Sequence, residues 1–277
     1  MLYVVATPIG NLSDFTFRAV KVLKDCDYIL CEDTRHSAIL LNHYEIKKPL
    51  KSFHKFNEMS RQEEILNDLR NGFSIGLISD AGTPGISDPG EKLVQMCRKH
   101  DLPVTPLPGA CAAITALCCS GLDTTRFQFI GFLPKKAGEL RRSLQGALAY
   151  VGTTICYESP NRLIEVLKLL QELAPERQLV VARELTKQFE EVKQGKAGEL
   201  ISYWEEGRIK GEIVVMISAS SDRPELEWET LTPMQHVEFF QETYGMTRQE
   251  AILNAAKTRG VSKREVYNAV HQNKESF

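Results

Sequence analysis

The sequence predicts an α/β protein with two α/β domains and a small C-terminal helical domain. Apolar, strand-like runs alternate with segments of helical spacing in the first half of the chain, and the alternation resumes after residue 150. Beyond Pro233 the pattern is helical only. With 277 residues, 43% of them apolar, the chain is long enough for about two domains with a sizeable core.

The first domain is predicted to contain a parallel sheet. The apolar residues of 75–78 are continuous rather than alternating, which is typical of a strand covered on both faces. Phe17, Val20 and Leu23 have the spacing of an apolar helix face between two such strands. The predicted strands of this half cover residues 2–7, 28–31, 73–79, 103–107 and 127–131.

The second half is predicted to be a mixed α/β unit, because its connections are shorter or more polar. Strands are expected at 153–157, 178–182 and 212–217, with a helix that begins near residues 160–162. The strand and helix pattern is interrupted at 133–138, and the domain boundary is predicted close to 132–136. Residues 220–225 have the composition of a linker. The predicted domains are therefore 1–132, 133–220 and 233–277.

The helical tail carries two capping boxes and a basic tip. Thr247 with Glu250, and Ser262 with Glu265, have the spacing of N-cap and N3 residues on either side of Gly260. Between residues 247 and 264 there are five basic residues and one acid, a local balance of plus four. A helix-turn-helix that contacts phosphates and a dimerising or lid-like helical hairpin both fit this pattern.

Two strands end in loops of the kind that bind ligands. The strand at 77–78 runs into Ser79-Asp80-Ala81-Gly82-Thr83-Pro84-Gly85, and the strand at 2–7 runs into Pro8-Ile9-Gly10-Asn11. Glycines let backbone amides approach a ligand closely, and prolines stiffen the path. If both strands are parallel members of one sheet, the loops meet in the crevice at the carboxyl ends of the strands.

Composition excludes several classes of protein. A net charge of −2 gives no overall cationic surface, so a polyanionic partner has to be held locally. The start at Met1-Leu2-Tyr3 shows no leader or apolar span, which favours a cytoplasmic protein without membrane attachment. Seven cysteines without a C-x-x-C pair, and histidines without zinc-binding spacing, predict reduced core residues and no metal site.

The order of motifs along the chain resembles the tetrapyrrole-methylase superfamily of S-adenosylmethionine-dependent methyltransferases. Within it, the chain is similar to the ribosomal small-subunit methyltransferase I family, which methylates a cytidine 2′-hydroxyl of 16S rRNA. Eight blocks in order carry the resemblance: residues 5–12, 32–35, 79–85, 108–110, 131–134, 157–160, 182–187 and 210–212. The resemblance implies a homodimer, S-adenosylmethionine in the cleft between the two α/β domains, and the small ribosomal subunit as partner.

The resemblance also implies which residues bind the cofactor. The methionine and ribose ends are expected at the glycine loop and the turn 110–111, and the adenine near main chain around 157, 183 and 211–212. The implied cofactor-binding residues are Pro8, Asp80, Gly82, Thr83, Ala110, Cys111, Tyr157, Arg183, Gly211 and Glu212.

Methyl transfer to a sugar hydroxyl requires orientation and a proton acceptor. Holding donor and acceptor in line lowers much of the barrier, and a positioned base adds roughly a hundredfold or more. Two of the candidate acids also fit structural roles. Glu158 could cap the helix that follows it, and Glu184 could form an ion pair with Arg183. The candidates for proton transfer are Asp33, Glu158, Glu184 and Lys187, with Glu32 as a further acid.

Basic residues beside the predicted cleft and in the tail are candidates for RNA contact. Guanidinium forks suit phosphates, although a solvated charged face is an equal alternative. Aromatic residues within 53–57 could stack on a base, but such residues are more often core. The RNA-binding candidates are Arg35, Lys135, Lys136, Arg141, Arg142, Arg248, Lys257, Arg259, Lys263 and Arg264.

Two rival functions stay open from the sequence alone. A small-molecule methyltransferase acting on a tetrapyrrole shares the fold and cofactor but does not need a basic helical tail. A non-catalytic regulator with a ligand-sensing body and a DNA-binding tail also fits the layout. A phosphate-cleaving enzyme is disfavoured because no G-x-x-x-x-G-K-[ST] motif occurs and no acidic cluster suggests magnesium.

Overall fold

The computed structural model describes residues 1–205, 207, 209–220 and 231–272. Strands and helices alternate through most of this range, and the last three elements are helices. The strands are β1 Leu2–Val5, β2 Tyr28–Cys31, β3 Leu50–Ser52, β4 Ile75–Leu77, β5 Val104–Leu107, β6 Phe127–Phe132, β7 Thr153–Glu158, β8 Gln178–Arg183, β9 Glu191–Lys196 and β10 Ile213–Ile217. The helices are α1 Phe17–Asp25, α2 Thr34–His43, α3 Glu58–Arg70, α4 Glu91–Lys99, α5 Ala112–Cys119, α6 Ala137–Ala149, α7 Leu163–Leu173, α8 Ala197–Glu205, α9 Pro233–Tyr244, α10 Arg248–Arg259 and α11 Lys263–Gln272.

The first sheet is parallel throughout, with the strand order β3-β2-β4-β1-β5. Helices cover it, so its inner strands β2 and β4 are buried along their whole length. Leu2, Ile75 and Leu93 pack in one core cluster, and Val5, Leu23 and Ile29 pack in another. The continuous apolar run of β4 predicted this double-sided burial, and the prediction is confirmed.

The second sheet is mixed, with the strand order β6-β7-β10-β8-β9. The β6–β7 pair is parallel, whereas β10 runs antiparallel to both β7 and β8, and β9 runs antiparallel to β8. The mixed character expected for this half is confirmed. Because β6 pairs with β7, the change of sheet falls before Phe127, whereas the sequence analysis ended the first domain at 132. The domain boundaries stay a prediction.

Three features of the fold differ from the sequence-based expectations. β3 is a three-residue edge strand and β9 has the polar sequence EVKQGK, so neither shows an apolar pattern, and both were missed. Each forms the edge of its sheet, where backbone pairing does not need a buried side chain on both faces. Phe17 was expected on the apolar face of α1, but its side chain is 97% exposed.

The chain divides into one compact unit of residues 1–220 and a second of residues 221–277. In the described part of the second unit, Val237, Ile252 and Val266 belong to a small core shared by α9, α10 and α11. Both predicted capping boxes are confirmed, because Thr247 and Ser262 exchange hydrogen bonds with the glutamates three residues on. Most of the predicted linker 220–225 lies outside the described residues. No helix in the described ranges is long and apolar enough to cross a membrane.

Candidate active site

The loops after β1 and β4 join into one floor at the carboxyl ends of these strands. Thr7 N donates to Gly82 O at 2.8 Å, and Gly82 N donates back to Thr7 O at 3.0 Å. The Thr7 hydroxyl donates to Ser79 O at 3.1 Å, which ties the end of β1 to the end of β4. Gly82 has a φ of +83°, a left-handed conformation that favours glycine. The two loops singled out in the sequence therefore do meet in one crevice.

A cavity of about 460 Å³ opens above this floor, and we call it the larger cavity. Its volume falls within the range of about 300–1,000 Å³ that is usual for cofactor sites. Both sheets contribute to its walls. It is lined by Ile9, Glu32, Asp80, Ala81, Ile86, Ser87, Asp88, Ala112, Phe132, Tyr157, Glu158, Ser159, Pro160, Leu185, Gly211, Glu212, Ile213 and Val214.

The charged groups of the larger cavity are all acids. Among its described lining residues there are five carboxylates and no lysine, arginine or histidine. Burial, reinforced by Glu32 and Asp80, raises the pKa of Asp88 to about 6. Burial and Asp80 also raise the pKa of Glu32 above its ordinary value. Neighbouring acids that resist ionisation make this cavity a favourable place for a cation.

An aromatic group forms part of the other wall. The Tyr157 ring lies 4.8 Å from Phe129 and 5.4 Å from Phe132, centroid to centroid. Its hydroxyl accepts a hydrogen bond from Ala113 N at 3.2 Å, which holds the ring against the start of α5. Burial raises the pKa of Tyr157 above its ordinary value, so the phenol stays protonated. Phe132 is 63% exposed at the rim and offers a flat apolar surface.

A charged network connects the loop after β8 with the loop before β10. Lys187 Nζ lies 2.8 Å from Glu184 Oε1 and 3.1 Å from Glu212 Oε2. Glu184 Oε1 also accepts a hydrogen bond from Glu212 N at 3.0 Å. Although burial alone opposes it, these bonds lower the pKa of Glu184 and raise that of Lys187, so both groups are ionised. Gly211 has a φ of +90° in this contact, and a side chain there would collide with the Glu184 carboxylate.

A smaller cavity of about 290 Å³ adjoins the first. The two share Ile9, Asp80, Ala81 and Glu212, which we call the shared wall. The other side of the smaller cavity is formed by α2 and the first-strand loop. Its remaining lining residues are Pro8, Gly10, Leu12, His36, Ser37, Ile39, Leu40, Ile78, Ser79 and Lys187.

The structure places five of the ten predicted cofactor-binding residues at these cavities. Four of them line the larger cavity and Pro8 lines the smaller one. Thr83 donates to Ala110 O at 2.9 Å, next to the Gly82 turn, and Cys111 is the N-cap of α5. The Arg183 side chain points elsewhere, since it pairs with Glu191 at 2.9 Å and lies over the Trp204 ring. The four residues on the larger cavity are Asp80, Tyr157, Gly211 and Glu212.

The predicted proton-transfer residues are all engaged in ion pairs. Glu158 lines the larger cavity, but its carboxylate accepts from Ser159 N at 2.7 Å and pairs with Arg162 at 3.2 Å. The helix α7 has Arg162 as its N-cap and no side-chain cap, so Glu158 does not have the capping role that the sequence left open. Asp33 is the N-cap of α2 and binds Arg35, and these bonds lower its pKa to about 2. Glu184 and Lys187 are bound to each other, as described above.

The RNA-binding candidates of the first unit are exposed but mostly paired. The Arg35 side chain is 91% exposed and pairs with Asp33 at 3.0 Å. Lys136 pairs with Glu139, Arg141 pairs with Glu172, and Arg142 Nε donates to Gly138 O at 3.2 Å. Lys135 is exposed in the turn before α6.

In the helical unit, four of the five basic candidates are exposed: Arg248, Lys257, Lys263 and Arg264. Arg259 differs, because its guanidinium donates to His236 Nδ1 at 3.0 Å and to the Leu231 carbonyl. That side chain holds α10 against the start of α9. A structural role therefore explains Arg259 without RNA.

Sequence reasoning did not single out several residues that the structure brings to the cavities. Asp88, His36 and Phe132 were not named as site residues. The signal for Asp88 was its place in the turn sequence Asp88-Pro89-Gly90, which follows the glycine loop. Of the aromatic segment 53–57, Phe53 is core and Phe56 is 97% exposed, so base stacking by Phe56 stays a prediction.

Comparison with known proteins identifies the fold and the family. Residues 1–201 match the family described as Tetrapyrrole (Corrin/Porphyrin) Methylases. The chain is 44% identical over 274 residues to Ribosomal RNA small subunit methyltransferase I of Halalkalibacterium halodurans, covering 98% of this chain and 94% of that protein. It is 44% identical over 275 residues to the protein of the same name from Bacillus subtilis, with the same coverage.

Solved structures with low sequence identity share the fold. The methyltransferase CobJ matches with a TM-score of 0.60 at 19% identity, over 79% of this chain and 94% of that chain. A Thermus thermophilus uroporphyrin-III C-methyl transferase complexed with S-adenyl homocysteine matches with a TM-score of 0.54 at 17% identity, over 78% of this chain and 96% of that chain.

The comparisons confirm three predictions made from the sequence: the fold class, the methyltransferase class and S-adenosylmethionine as the cofactor. By a family match over most of its length and by relatives of the same name, the chain belongs to the ribosomal RNA small subunit methyltransferase I family of the tetrapyrrole methylases.

Proposed function

We propose that the enzyme methylates the 2′-hydroxyl of a cytidine in the 16S rRNA of the small ribosomal subunit. The relatives carry the name of small-subunit rRNA methyltransferases, which supports RNA rather than a tetrapyrrole as substrate. The single structural observation that carries the proposal is the larger cavity, which is lined by acids and adjoins a second cavity with its own lysine and histidine.

The residues of the larger cavity fit a cationic methyl donor. S-adenosylmethionine supplies a methyl group on a positively charged sulfur, together with an ammonium group, a ribose and an adenine. Glu32, Asp80 and Asp88 match the positive charges, and the apolar surfaces of Tyr157 and Phe132 match the adenine. Gly211 also lines this cavity, in a left-handed backbone conformation.

Asp80 is the group we propose as the proton acceptor. A hydroxyl and its methyl donor have to meet where both cavities open, and Asp80 and Glu212 are the carboxylates of the shared wall. Glu212 is held by Lys187 at 3.1 Å. Asp80 Oδ1 accepts from Asp33 N at 3.2 Å, and in the described part of the chain Oδ2 has no protein partner. Oδ2 can therefore take the hydroxyl proton.

The residues predicted for proton transfer have supporting roles in this proposal. The lowered pKa values of Asp33 and Glu184 make them weak bases, and Glu158 forms an ion pair with Arg162 at 3.2 Å. Asp33 orients Asp80 through its backbone amide. Glu184 holds Lys187 in place at the smaller cavity, and Glu158 fixes the turn before α7.

Ribosomal RNA is a polyanion, and the protein as a whole carries a net charge of −2. We therefore propose that local basic groups hold it, namely Arg35 and the residues 135–142 in the first unit and the exposed basic tip of the helical unit. We also propose a homodimer, the domain division 1–132, 133–220 and 233–277, and a cytoplasmic location, where ribosomal subunits are found.

Two measurements test the proposed function. Titration calorimetry with S-adenosylmethionine should show saturable binding to the full chain. Incubation with methyl-labelled cofactor and small subunits assembled from unmodified rRNA should transfer label to RNA, and mapping of 2′-O-methyl groups should place it on one cytidine ribose. Label found in a tetrapyrrole extract instead, or on a base rather than a ribose, would refute the substrate assignment.

A further inference from the structure

We propose that the smaller cavity is the pocket for the acceptor nucleotide, with Lys187 as the residue that positions its sugar-phosphate backbone. This inference rests on the proposed function, because it presupposes an RNA substrate and a donor in the larger cavity. It adds the place at which the target nucleotide binds and the side chains that recognise it.

Charge decides which cavity can receive the nucleotide. A phosphodiester brings a negative charge with it, and the larger cavity presents five carboxylates without a basic residue among its described lining. Two of these acids, Asp88 and Glu32, are already disfavoured in their charged form by burial and by neighbouring acids. A phosphate placed there would add repulsion, whereas a sulfonium relieves it. In the part of its lining that the structure describes, the smaller cavity has only two carboxylates, Asp80 and Glu212, and sets the ammonium of Lys187 against them, so a phosphate is repelled less there.

The smaller cavity has the residues that a nucleotide needs. Lys187 and His36 offer donors to phosphate or ribose oxygens, while Leu12, Ile39 and Pro8 offer apolar surface to a base. Lys187 is held at this cavity by Glu184 and Glu212, so its ammonium is ordered before any ligand arrives. A base removed from its stack is commonly held in a pocket by apolar contact together with hydrogen bonds to its edge.

The loop after β1 leaves room for the Lys187 side chain to lie across it. A side chain at Gly10 would come within 2.9 Å of Thr186 Oγ1 and would collide with the Lys187 stem. Glycine at position 10 therefore allows the stem of Lys187 to pass directly over the loop. Gly10 therefore serves the contact with Lys187.

The shared wall provides the geometry of transfer. Because Ile9, Asp80, Ala81 and Glu212 line both cavities, a group bound in one is next to a group bound in the other. A ribose in the smaller cavity therefore places its hydroxyl beside Asp80 and facing the donor. Outside the mouth, the exposed Arg35 on the first turn of α2 is available to a flanking phosphate.

Filling the mouth of the smaller cavity tests the assignment. Ile39 lines this cavity and is 63% exposed, so Ile39→Trp adds bulk at the mouth without burying it in the core. We expect S-adenosylmethionine affinity to stay within about twofold by calorimetry, and methylation of unmodified small subunits to fall at least about a hundredfold. Val151→Trp is the matched control, because Val151 is 39% exposed and lines neither cavity.

Lys187 is tested by a pair of variants. Lys187→Gln should raise the KM for small subunits about tenfold while cofactor affinity is kept, because one charge-assisted contact to phosphate is lost. Lys187→Arg should keep the KM for small subunits close to that of the wild type, since arginine retains a cation on a long side chain. A role limited to folding would instead lower thermal stability and impair cofactor binding and RNA binding together.

The outcomes separate this inference from the proposed function. If the wild-type chain binds no S-adenosylmethionine, the proposed function fails. If the wild type binds and methylates, and Ile39→Trp methylates like Val151→Trp, the acceptor pocket is elsewhere and the inference alone is overturned. Loss of cofactor binding in Ile39→Trp would assign the smaller cavity to the donor and would also overturn it.

Discussion

At the residue scale, burial gives two aspartates of one loop different chemistry. Asp80 and Asp88 are eight positions apart in the same turn-rich segment and both line the larger cavity. Asp80 Oδ1 accepts a hydrogen bond from Asp33 N at 3.2 Å, which orients its carboxylate. Burial and the neighbouring Glu32 raise the pKa of Asp88 to about 6. We therefore assign proton transfer to the first and cation attraction to the second.

Donor binding should depend on pH through Asp88. Because the pKa of this carboxyl is raised to about 6, it is protonated at pH 5 and ionised at pH 7, so S-adenosylmethionine affinity should increase between these values. Calorimetry at pH 5, 6 and 7 measures this. Asp88→Asn should bind more weakly at pH 7 and show a flatter profile. An unchanged profile in the variant would rule out Asp88 as the titrating group.

The same carboxyl should cost stability in the cofactor-free protein. A raised folded-state pKa means that the folded protein binds the proton more tightly than the unfolded chain does. The stabilising contribution is therefore present at low pH and is lost as the pH rises towards 6. At pH 8, Asp88→Asn should increase the free energy of unfolding by on the order of 1 kcal/mol after allowance for solvent screening. Urea denaturation at pH 4 and pH 8 measures the difference.

Asp80→Asn should separate binding from catalysis. The amide keeps the shape and the hydrogen bond from Asp33 N but cannot accept a proton at neutral pH. We expect kcat to fall about a hundredfold or more, and cofactor affinity to fall only several-fold because one negative charge is lost. Single-turnover methylation and calorimetry give the two quantities. A kcat close to wild type would assign the proton acceptor to another group.

At the scale of elements, the site depends on short segments that lie outside regular structure. The loop between β8 and β9 contains Glu184 at a φ of +52° and Thr186 at +67°, and the loop before β10 contains Gly211 at +90°. Left-handed backbone in non-glycine residues costs of order 1–3 kcal/mol each and persists only where contacts hold it. Here Glu212 N donates to Glu184 Oε1 at 3.0 Å and Thr186 N donates to the Glu190 carboxylate, so hydrogen bonds hold the strained backbone next to the cavities.

Gly211→Ala should disrupt the close contact between Gly211 and the Glu184 carboxylate. The added methyl group would collide with the Glu184 carboxylate and would also impose a left-handed conformation on alanine. We expect a loss of about 1–3 kcal/mol in the free energy of unfolding, together with weaker cofactor binding. Gly138→Ala on α6 is the control, because nothing lies within 4 Å of a side chain there. Equal stability of the two variants would show that the contact between Gly211 and Glu184 does not stabilise the fold.

Elements with apolar periodicity could be predicted from the sequence, and elements defined by pairing could not. The buried run of β4 and the capping boxes of α10 and α11 have local signals, and they were found. The strand β9 is polar and forms only because β8 lies beside it. The order β6-β7-β10-β8-β9 likewise depends on contacts distant in sequence, which local patterns do not encode.

The site shows the same division. Loop chemistry and family resemblance identified Asp80, Tyr157 and Glu212, which do line the larger cavity. The division into two cavities with a shared wall arises from how the loops of two sheets meet, and no motif records it. Arg259 shows the converse, because a basic residue in a basic tip is used to join α9 and α10.

At the scale of the whole molecule, the protein combines an acidic larger cavity with a helical unit that exposes basic residues. The first unit, residues 1–220, contains both sheets and both cavities, and the second, residues 221–277, contains the exposed Lys263 and Arg264. With a net charge of −2, long-range attraction to RNA is weak, so local basic groups have to supply affinity.

Reversing charge in the helical unit should weaken RNA binding in a salt-dependent way. Lys263→Glu with Arg264→Glu should lower affinity for small subunits and reduce the slope of log K against log salt by about 1–2, as expected for one or two lost phosphate contacts. Filter binding over a salt series measures this. Lys21→Glu with Lys24→Glu, on exposed positions of α1, is the charge-matched control. Equal losses in both variants would point to net charge rather than to a local contact.

The acidic lining of the larger cavity also bears on turnover. Once the methyl group has left, the sulfur of the spent cofactor is a neutral thioether, and the carboxylates of Glu32 and Asp88 no longer face a charge that compensates them. Their mutual repulsion then returns and favours departure of the by-product. We therefore expect that, in the proposed reaction, the acids that attract the cationic donor also favour release of the by-product, whose sulfur is neutral.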